Sequence, residues 1–236
     1  MKLQRLYSYV RQAAEDYQMI EEGDKIAIGI SGGKDSLTLL YALAGLRRFY
    51  PVSFEIIAIT VDLGYGDFDL EPIKKLCDEL GVEYIIEKTE ISKIMADGKG
   101  DCSLCARLRK GALTNRIVEL GCNKIAYAHN MDDVVETMLL SLIYEGRFST
   151  FWPVTKFDDK DMAVIRPLIY VPLEEVIGFK NKYELPVVEN PCPYKEETSR
   201  AFVRDLLKEM NKKAPGVKKR LLTAIKSGNI SEWNVQ

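Results

Sequence analysis

Ile26-Ala27-Ile28-Gly29-Ile30-Ser31-Gly32-Gly33-Lys34-Asp35-Ser36-Leu37 decides how the rest of the chain is read. An unbroken apolar run stops at Ser-Gly-Gly-Lys-Asp-Ser, and Leu37, Leu39, Leu40 and Leu43 follow at helical spacing. That order predicts a buried strand, a tight loop and a helix. Gly32 and Gly33 let the backbone turn sharply and approach a ligand closely. The loop amides and the helix N-terminus offer fixed partial positive charge, Lys34 adds a full charge, and Ser31 and Ser36 add hydroxyls. Ser31, Gly32, Gly33, Lys34, Asp35 and Ser36 together form a candidate phosphate cradle. An ordinary Gly-rich turn would account for the two glycines but not for the whole hexapeptide.

The spacing is not that of the Walker loop, which places four residues between its first Gly and Gly-Lys-[Ser/Thr], nor the Gly-x-Gly-x-x-Gly dinucleotide fingerprint. It resembles the PP-loop of the ATP pyrophosphatases, which cleave ATP between the α and β phosphates and adenylate a substrate.

Downstream segments support an α/β fold. Phe54 to Val61 is β-branched and apolar, as a central parallel strand is. It ends at Asp62-Leu63-Gly64-Tyr65-Gly66, and ligands in open α/β sheets sit outside the carboxyl ends of strands. Asp62 is thus a candidate nucleotide-binding residue, with a turn or helix-cap role as the alternative. A helix over Glu71 to Leu80, strands at Val82 to Ile86 and Lys124 to Ala128, and a fifth at Ala163 to Arg166 complete the expectation. The whole is a doubly wound five-stranded parallel sheet, Rossmann-like, with N- and C-terminal helical extensions. The expected divisions are an N-terminal helix at 1–22, an ATP pyrophosphatase domain at 23–190 and a C-terminal helical extension at 191–236.

A chain of 236 residues, 47% hydrophobic, can bury one substantial core. No apolar run approaches the ~20 residues of a membrane span, and Met1-Lys2-Leu3-Gln4-Arg5 lacks the apolar core of a signal peptide. A cytoplasmic protein is expected. Five cysteines, an odd number, do not suggest a disulfide framework, and His129 as the single histidine excludes a His-rich metal site. The net charge of −2 argues against general nucleic-acid binding. Lys208, Lys212, Lys213, Lys218, Lys219, Arg220 and Lys226 nevertheless crowd the C-terminal stretch, either as a solvated helix face or as an RNA-contacting surface.

Two further constellations carry chemistry. Cys102-Ser103-Leu104-Cys105 opens a helical pattern containing Leu113, Ile117 and Leu120, beside Arg107, Arg109 and Lys110. Thiolates there are favoured by the helix dipole and the basic residues. The spacing suits a metal, a cluster or a redox pair, although two cysteines do not complete a zinc site. His129-Asn130-Met131-Asp132-Asp133 follows the fourth strand, and a carboxylate pair at a strand end opposite a phosphate loop suits Mg²⁺. Helix capping is the plainer role for Asp132 and Asp133.

The ordered set is highly specific. With Arg166-Pro167-Leu168, Pro191-Cys192-Pro193-Tyr194, Arg200, Val203-Arg204 and Asn211 through Pro215-Gly216, these motifs resemble the TtcA/TtuA group of tRNA 2-thiolation enzymes. The likeness runs from Asp24 to about Arg220. It implies three cysteines, Cys102, Cys105 and Cys192, on one 4Fe-4S cluster whose free iron binds hydrosulfide. Cys77 and Cys122 then read as structural. It further implies ATP with Mg²⁺, a tRNA substrate, Lys34, Asp132, Asp133 and Arg109 in catalysis, and His129 and Asp62 with the loop at the nucleotide. The sulfur donor is free sulfide, a cysteine desulfurase or a sulfur carrier protein, and a homodimer is compatible. The sequence departs from TtuA-like members in having no Cys/His ribbons. It departs from TtcA-like members in having Pro-Cys-Pro-Tyr where they carry a second distal cysteine. The competing functions are adenylation followed by an amine nucleophile, which needs no cysteines, and a non-enzymatic nucleotide or cluster sensor.

Overall fold

A six-stranded sheet with helices on both faces carries the site. The computed structural model describes residues 1–66, 68–96, 102–157, 161–188 and 199–228. In chain order the elements are α1 (Leu3–Asp16), β1 (Asp24–Gly29), α2 (Lys34–Leu46), β2 (Phe54–Asp62), α3 (Glu71–Leu80), β3 (Glu83–Lys88), α4 (Ile91–Ala96), α5 (Cys102–Glu119) and β4 (Lys124–Ala126). Then follow α6 (Met131–Leu140) with a π-helical turn (Ser141–Glu145), β5 (Val154–Lys156), β6 (Ala163–Ile165), α7 (Leu173–Lys182), α8 (Ser199–Lys213) and α9 (Val217–Ser227).

The strand order is β3-β2-β1-β4-β6-β5. β1 pairs in parallel with β2 and β4, and β6 pairs in parallel with β4. The five expected strands are therefore present. The correction is a sixth, β5, which runs antiparallel to β6 at the edge of the sheet. Its three residues pair with the outer edge of β6, whose amides and carbonyls would otherwise lack strand partners. So short a segment has no periodicity to betray it.

Alternation along the strands divides the apolar residues between two cores. Ile26, Ile28 and Ile30 of the β1 segment join Ala58, Leu37, Leu40 and Phe179 on one face. Ala27, Ile57, Ile59 and Val61 meet Leu113 and Ile117 of α5 on the other. Full burial of each large aliphatic side chain contributes ~2 kcal/mol. The N-terminal helix is shorter than its sequence pattern. It stops at Asp16, after which Gln18 adopts φ 47 and Met19 returns to the core. It packs against α2 at Gly45, where a Cβ would lie 1.8 Å from the Tyr7 hydroxyl.

The C-terminal helices share the first core through Val203, Leu207, Leu222 and Ile225. Two charged ties hold them to α6. Arg204 donates to both carboxylate oxygens of buried Glu136, at 3.1 and 3.3 Å, and Lys218 donates to Asp132. No helix among the described residues is long and apolar enough to cross a membrane.

Candidate active site: a cleft at the strand ends

The phosphate loop leaves β1, a central strand, and its conformation is set by hydroxyls. Ser36 Oγ accepts from the Ser31 amide at 3.2 Å and donates to the Gly33 carbonyl at 2.9 Å. Ser31 Oγ accepts from the Gly33 amide at 3.3 Å. Gly33 is the N-cap of α2 and offers no side-chain acceptor, so the helix's first amides stay open toward the cleft. Gly32 has φ +81, and a Cβ there would sit 2.5 Å from a Val188 methyl. Val188 donates its amide to the Gly32 carbonyl at 3.1 Å and so lies against the loop. Lys34 Nζ rests on Asp35 at 2.7 Å with a third of its side chain exposed.

Beside the loop opens a cleft of about 620 Å³. Ser31, Asp35 and Ser36 border it on one side, Cys102, Cys105, Arg109 and Lys110 on another, and Tyr127, His129 and Asp133 on a third. A recess formed by Ser31, Asp62, Tyr65, Phe68 and Arg109 adjoins it. Asp62 Oδ1 accepts from the Gly64 amide at 2.9 Å, so it shapes its turn while lining that recess.

Helix α5 begins at Cys102, and spacing by three residues brings Cys102 and Cys105 to the cleft together. Cys102 is exposed and Cys105 half-buried. Cys192 lies outside the described residues. Cys77 and Cys122 are buried elsewhere, and burial pushes both thiols up, Cys77 to about 12, as inert core cysteines behave.

The acidic pair is divided. Asn130 caps α6, accepting from the Asp132 and Asp133 amides at 2.9 and 3.3 Å, while Asp133 Oδ2 accepts from the Asn130 amide at 2.9 Å. Consecutive residues on a helix point about 100° apart. Asp133 consequently borders the cleft, whereas Asp132 is buried under α7 and α9, accepting from the Leu173 amide at 2.8 Å and from Lys218. Of the two carboxylates expected beside Mg²⁺, only Asp133 lines the cleft, while Asp132 is engaged with the Leu173 amide and Lys218. Asp133's neighbour across the cleft is Asp35, which accepts from the Asn130 side-chain amide at 3.0 Å. Burial raises the Asp133 carboxyl to about 6, with Asp35 adding to the rise.

His129 stacks on Phe151, with ring centroids 4.5 Å apart, and its Nδ1 accepts from Arg166 Nε at 3.2 Å. Burial, with Arg166 and Arg200 adding to it, lowers the imidazole to about 4. Arg166 is itself pushed down to about 10 by burial and is anchored on the Trp152 carbonyl at 2.6 Å and Thr155 Oγ1 at 3.1 Å. Sequence reasoning named Arg166 only within a motif and passed over Asn130, Phe151 and Tyr127 as site residues. Their position between two strand ends carried no local signal.

A mostly parallel sheet with a Ser-Gly-Gly-Lys-Asp-Ser loop at the end of a central strand defines the PP-loop class. The PP-loop domain family matches residues 4–210. A tRNA-cytidine(32) 2-sulfurtransferase of Geobacter sulfurreducens is 39% identical over 236 residues, covering 98% of this chain and 91% of its own. One of Geotalea uraniireducens is 40% identical over 227 residues, covering 94% and 90%. Among solved structures, the U34-tRNA thiolase NcsA of Methanococcus maripaludis with its 4Fe-4S cluster aligns with TM-score 0.78 at 27% identity, over 94% of this chain and 78% of that one. The chain belongs to the PP-loop family and, within it, to the TtcA/TtuA-type tRNA 2-thiolation enzymes.

Proposed function

We propose that the enzyme adenylates the C2 oxygen of a tRNA pyrimidine with ATP and replaces that oxygen with sulfur. The relatives' names point to cytidine as the pyrimidine. One observation carries the reading: Ser31, Asp35 and Ser36, at the phosphate loop and the uncapped start of α2, border the same cleft as the closely spaced Cys102 and Cys105. A phosphate loop alone would serve any adenylating enzyme. The cysteines select a sulfur nucleophile.

In this reading the triphosphate lies on Ser31 to Ser36, with Lys34 turned from Asp35 onto it. The base fills the cleft between Tyr127 and Arg109, and the adenosine the recess beside Asp62. The C2 oxygen attacks the α-phosphorus and pyrophosphate leaves, converting a poor leaving oxygen into a phosphate ester. Sulfide then adds to C2 and the oxygen departs in AMP, so one C–O bond is exchanged for one C–S bond without net oxidation. Lys34 and the α2 amides stabilise the charge that grows on the phosphates.

The donor chemistry fits the implied metals. Asp35 and Asp133 face the cleft and are both tied to Asn130, an arrangement of hard oxygens that a cation would relieve. Mg²⁺ bound there would neutralise phosphate charge, with Asp133 and Asp35 holding it. Cys102 and Cys105 would supply two thiolates for a 4Fe-4S cluster. Cys192, the third cysteine that the family resemblance implies, would supply the remaining thiolate. When bound, that cluster would present the sulfur nucleophile. The division into 1–22, 23–190 and 191–236 enters as a division of labour: the middle segment holds nucleotide and base, and the last contributes Cys192 and a basic surface.

Nucleoside mass spectrometry of tRNA from a strain lacking the protein tests the reading. Loss of a 2-thiopyrimidine is expected, and an unchanged nucleoside profile rejects it. Metal analysis after anaerobic purification tests the cluster: about four irons per chain supports it, and stoichiometric zinc without iron rejects it.

A further inference from the structure

The ring of His129 is held so that only one tautomer is compatible with its surroundings. Arg166 is a donor with no acceptor atom. Its Nε–H points at His129 Nδ1 across 3.2 Å, so Nδ1 must carry a lone pair. In the neutral ring the proton then resides on Nε2. Neither partner can easily turn away. Arg166 is fixed by the Trp152 carbonyl and Thr155, its guanidinium lies 5.1 Å from the Phe151 ring centre, and Phe151 stacks on the imidazole. Tyr127 packs edge-on against the imidazole, with ring centroids 5.9 Å apart. Among the described residues nothing accepts from Nε2, and that atom is not among the sealed polar atoms. His129 borders the cleft, so its remaining polar atom is available to a ligand there.

We propose that His129 is a fixed hydrogen-bond donor to substrate, with Arg166 as the positioning residue that assigns the proton to Nε2. Its acceptor is an oxygen of the bound reactants, either a phosphate oxygen of the nucleotide or the carbonyl oxygen of the base. The role excludes general-base catalysis by this histidine, because the only accessible nitrogen already bears hydrogen. The charged groups facing the ring agree. Arg166 and Arg200 disfavour an imidazolium, while Asp35 alone opposes them, and burial outweighs Asp35. The inference deepens the proposed function and rests on that reading only for the identity of the acceptor.

A single histidine makes the test direct. Long-range proton–nitrogen correlation spectra of tag-free, nitrogen-labelled protein report both ring nitrogens without assignment ambiguity. The expected result is a protonated Nε2 and an unprotonated Nδ1 throughout pH 5 to 8. A proton on Nδ1, or a ring titrating like an exposed imidazole, overturns the proposal. Arg166→Met is expected to mix the tautomers and move the ring's titration upward, and Arg166→Lys to restore part of the wild-type pattern.

Addition of a non-hydrolysable ATP analogue, or of a cytidine-bearing RNA hairpin, distinguishes the acceptor. The Nε2 proton shifts with the first if phosphate accepts and with the second if the base does. No shift with either, alone or together, overturns the ligand role. His129→Ala should lower kcat for AMP formation about a hundredfold with KM for ATP little changed, and His129→Gln, which keeps an N–H donor, should recover part of the loss. The spectra succeed or fail independently of tRNA thiolation. A ligand shift without thiolated product would therefore sink the function and leave the donor in place.

Discussion

The turns after β1 and β4 occupy equivalent positions on neighbouring parallel strands, yet one is open and the other closed. After β1, Ser31 and Ser36 bond the loop to itself, and Gly33 leaves the first turn of α2 without a side-chain cap. After β4, Asn130 and Asp133 form a capping box that occupies the amides at the start of α6. An anion is thus welcome at α2 and unwelcome at α6, where two carboxylates already stand. Equivalent places in a fold do different work when one terminus is satisfied internally and the other is left for a ligand.

The sharpest way to break this comparison is to remove the open side's cation. Lys34→Ala should reduce AMP formation and tRNA thiolation by at least about a hundredfold while thermal melting stays near that of the wild type, because Lys34 is partly exposed and, among the described residues, its ion pair is with its neighbour Asp35. Retained activity would remove the loop from phosphate chemistry.

The closed side should respond in stability first. Asp132→Ala leaves Lys218 facing a buried vacancy and the Leu173 amide without its acceptor, a loss of about 3 kcal/mol in urea unfolding. Lys218→Met should cost a similar amount, and the double variant less than the two together. Additive losses would show that the two side chains are not coupled.

Across the cleft, the two perturbed groups have opposite pH signatures in metal-free protein. Asp133, raised to about 6 from 3.8, adds stability that is complete at acid pH and lost as pH rises through 6. His129, lowered to about 4 from 6.5, adds stability that is complete above 6.5 and lost as pH falls through 4. Their slopes oppose each other between about pH 4 and 6. Asp133→Asn should therefore stabilise the protein at neutral pH by about 2 kcal/mol and leave a net rise with pH relative to wild type. His129→Asn should tilt the same profile the other way. Melting temperatures across this range decide it, and parallel profiles for both variants would contradict the assigned environments.

The smallest effect belongs to the basic tail. Lys218 and Lys226 are taken up by Asp132 and by the Tyr170 ring with Asp16, while Lys208 and Lys212 pair along α8. Lys213→Gln with Lys219→Gln should weaken tRNA binding only a few-fold and flatten its salt dependence by about two phosphate contacts. An unchanged salt slope would make this face a solvated one.

Much of the architecture was legible because periodicity and punctuation are local. The Ile26 to Ile30 run, the Gly-Gly turn and the leucines after it announce strand, loop and helix. The start of α5 at Cys102 and the bounds of α3 follow from similar cues. β5 escaped because three residues hold no period, and its strand conformation depends on the edge of β6. The acidic pair at 132 and 133 read as one feature because adjacency in sequence says nothing about which way each carboxylate turns once a helix begins.

By itself the sequence determined the strand order's raw material, the phosphate loop and the cysteine spacing, since each is encoded within about ten residues of chain. Only the tertiary structure decided that Asp133 looks across to Asp35 while Asp132 holds down α7 and α9. It also decided that Arg166 assigns the proton on His129. Those outcomes depend on helix rotation, burial and partners dozens of residues away, and such quantities exist only after the sheet has brought the strand ends together.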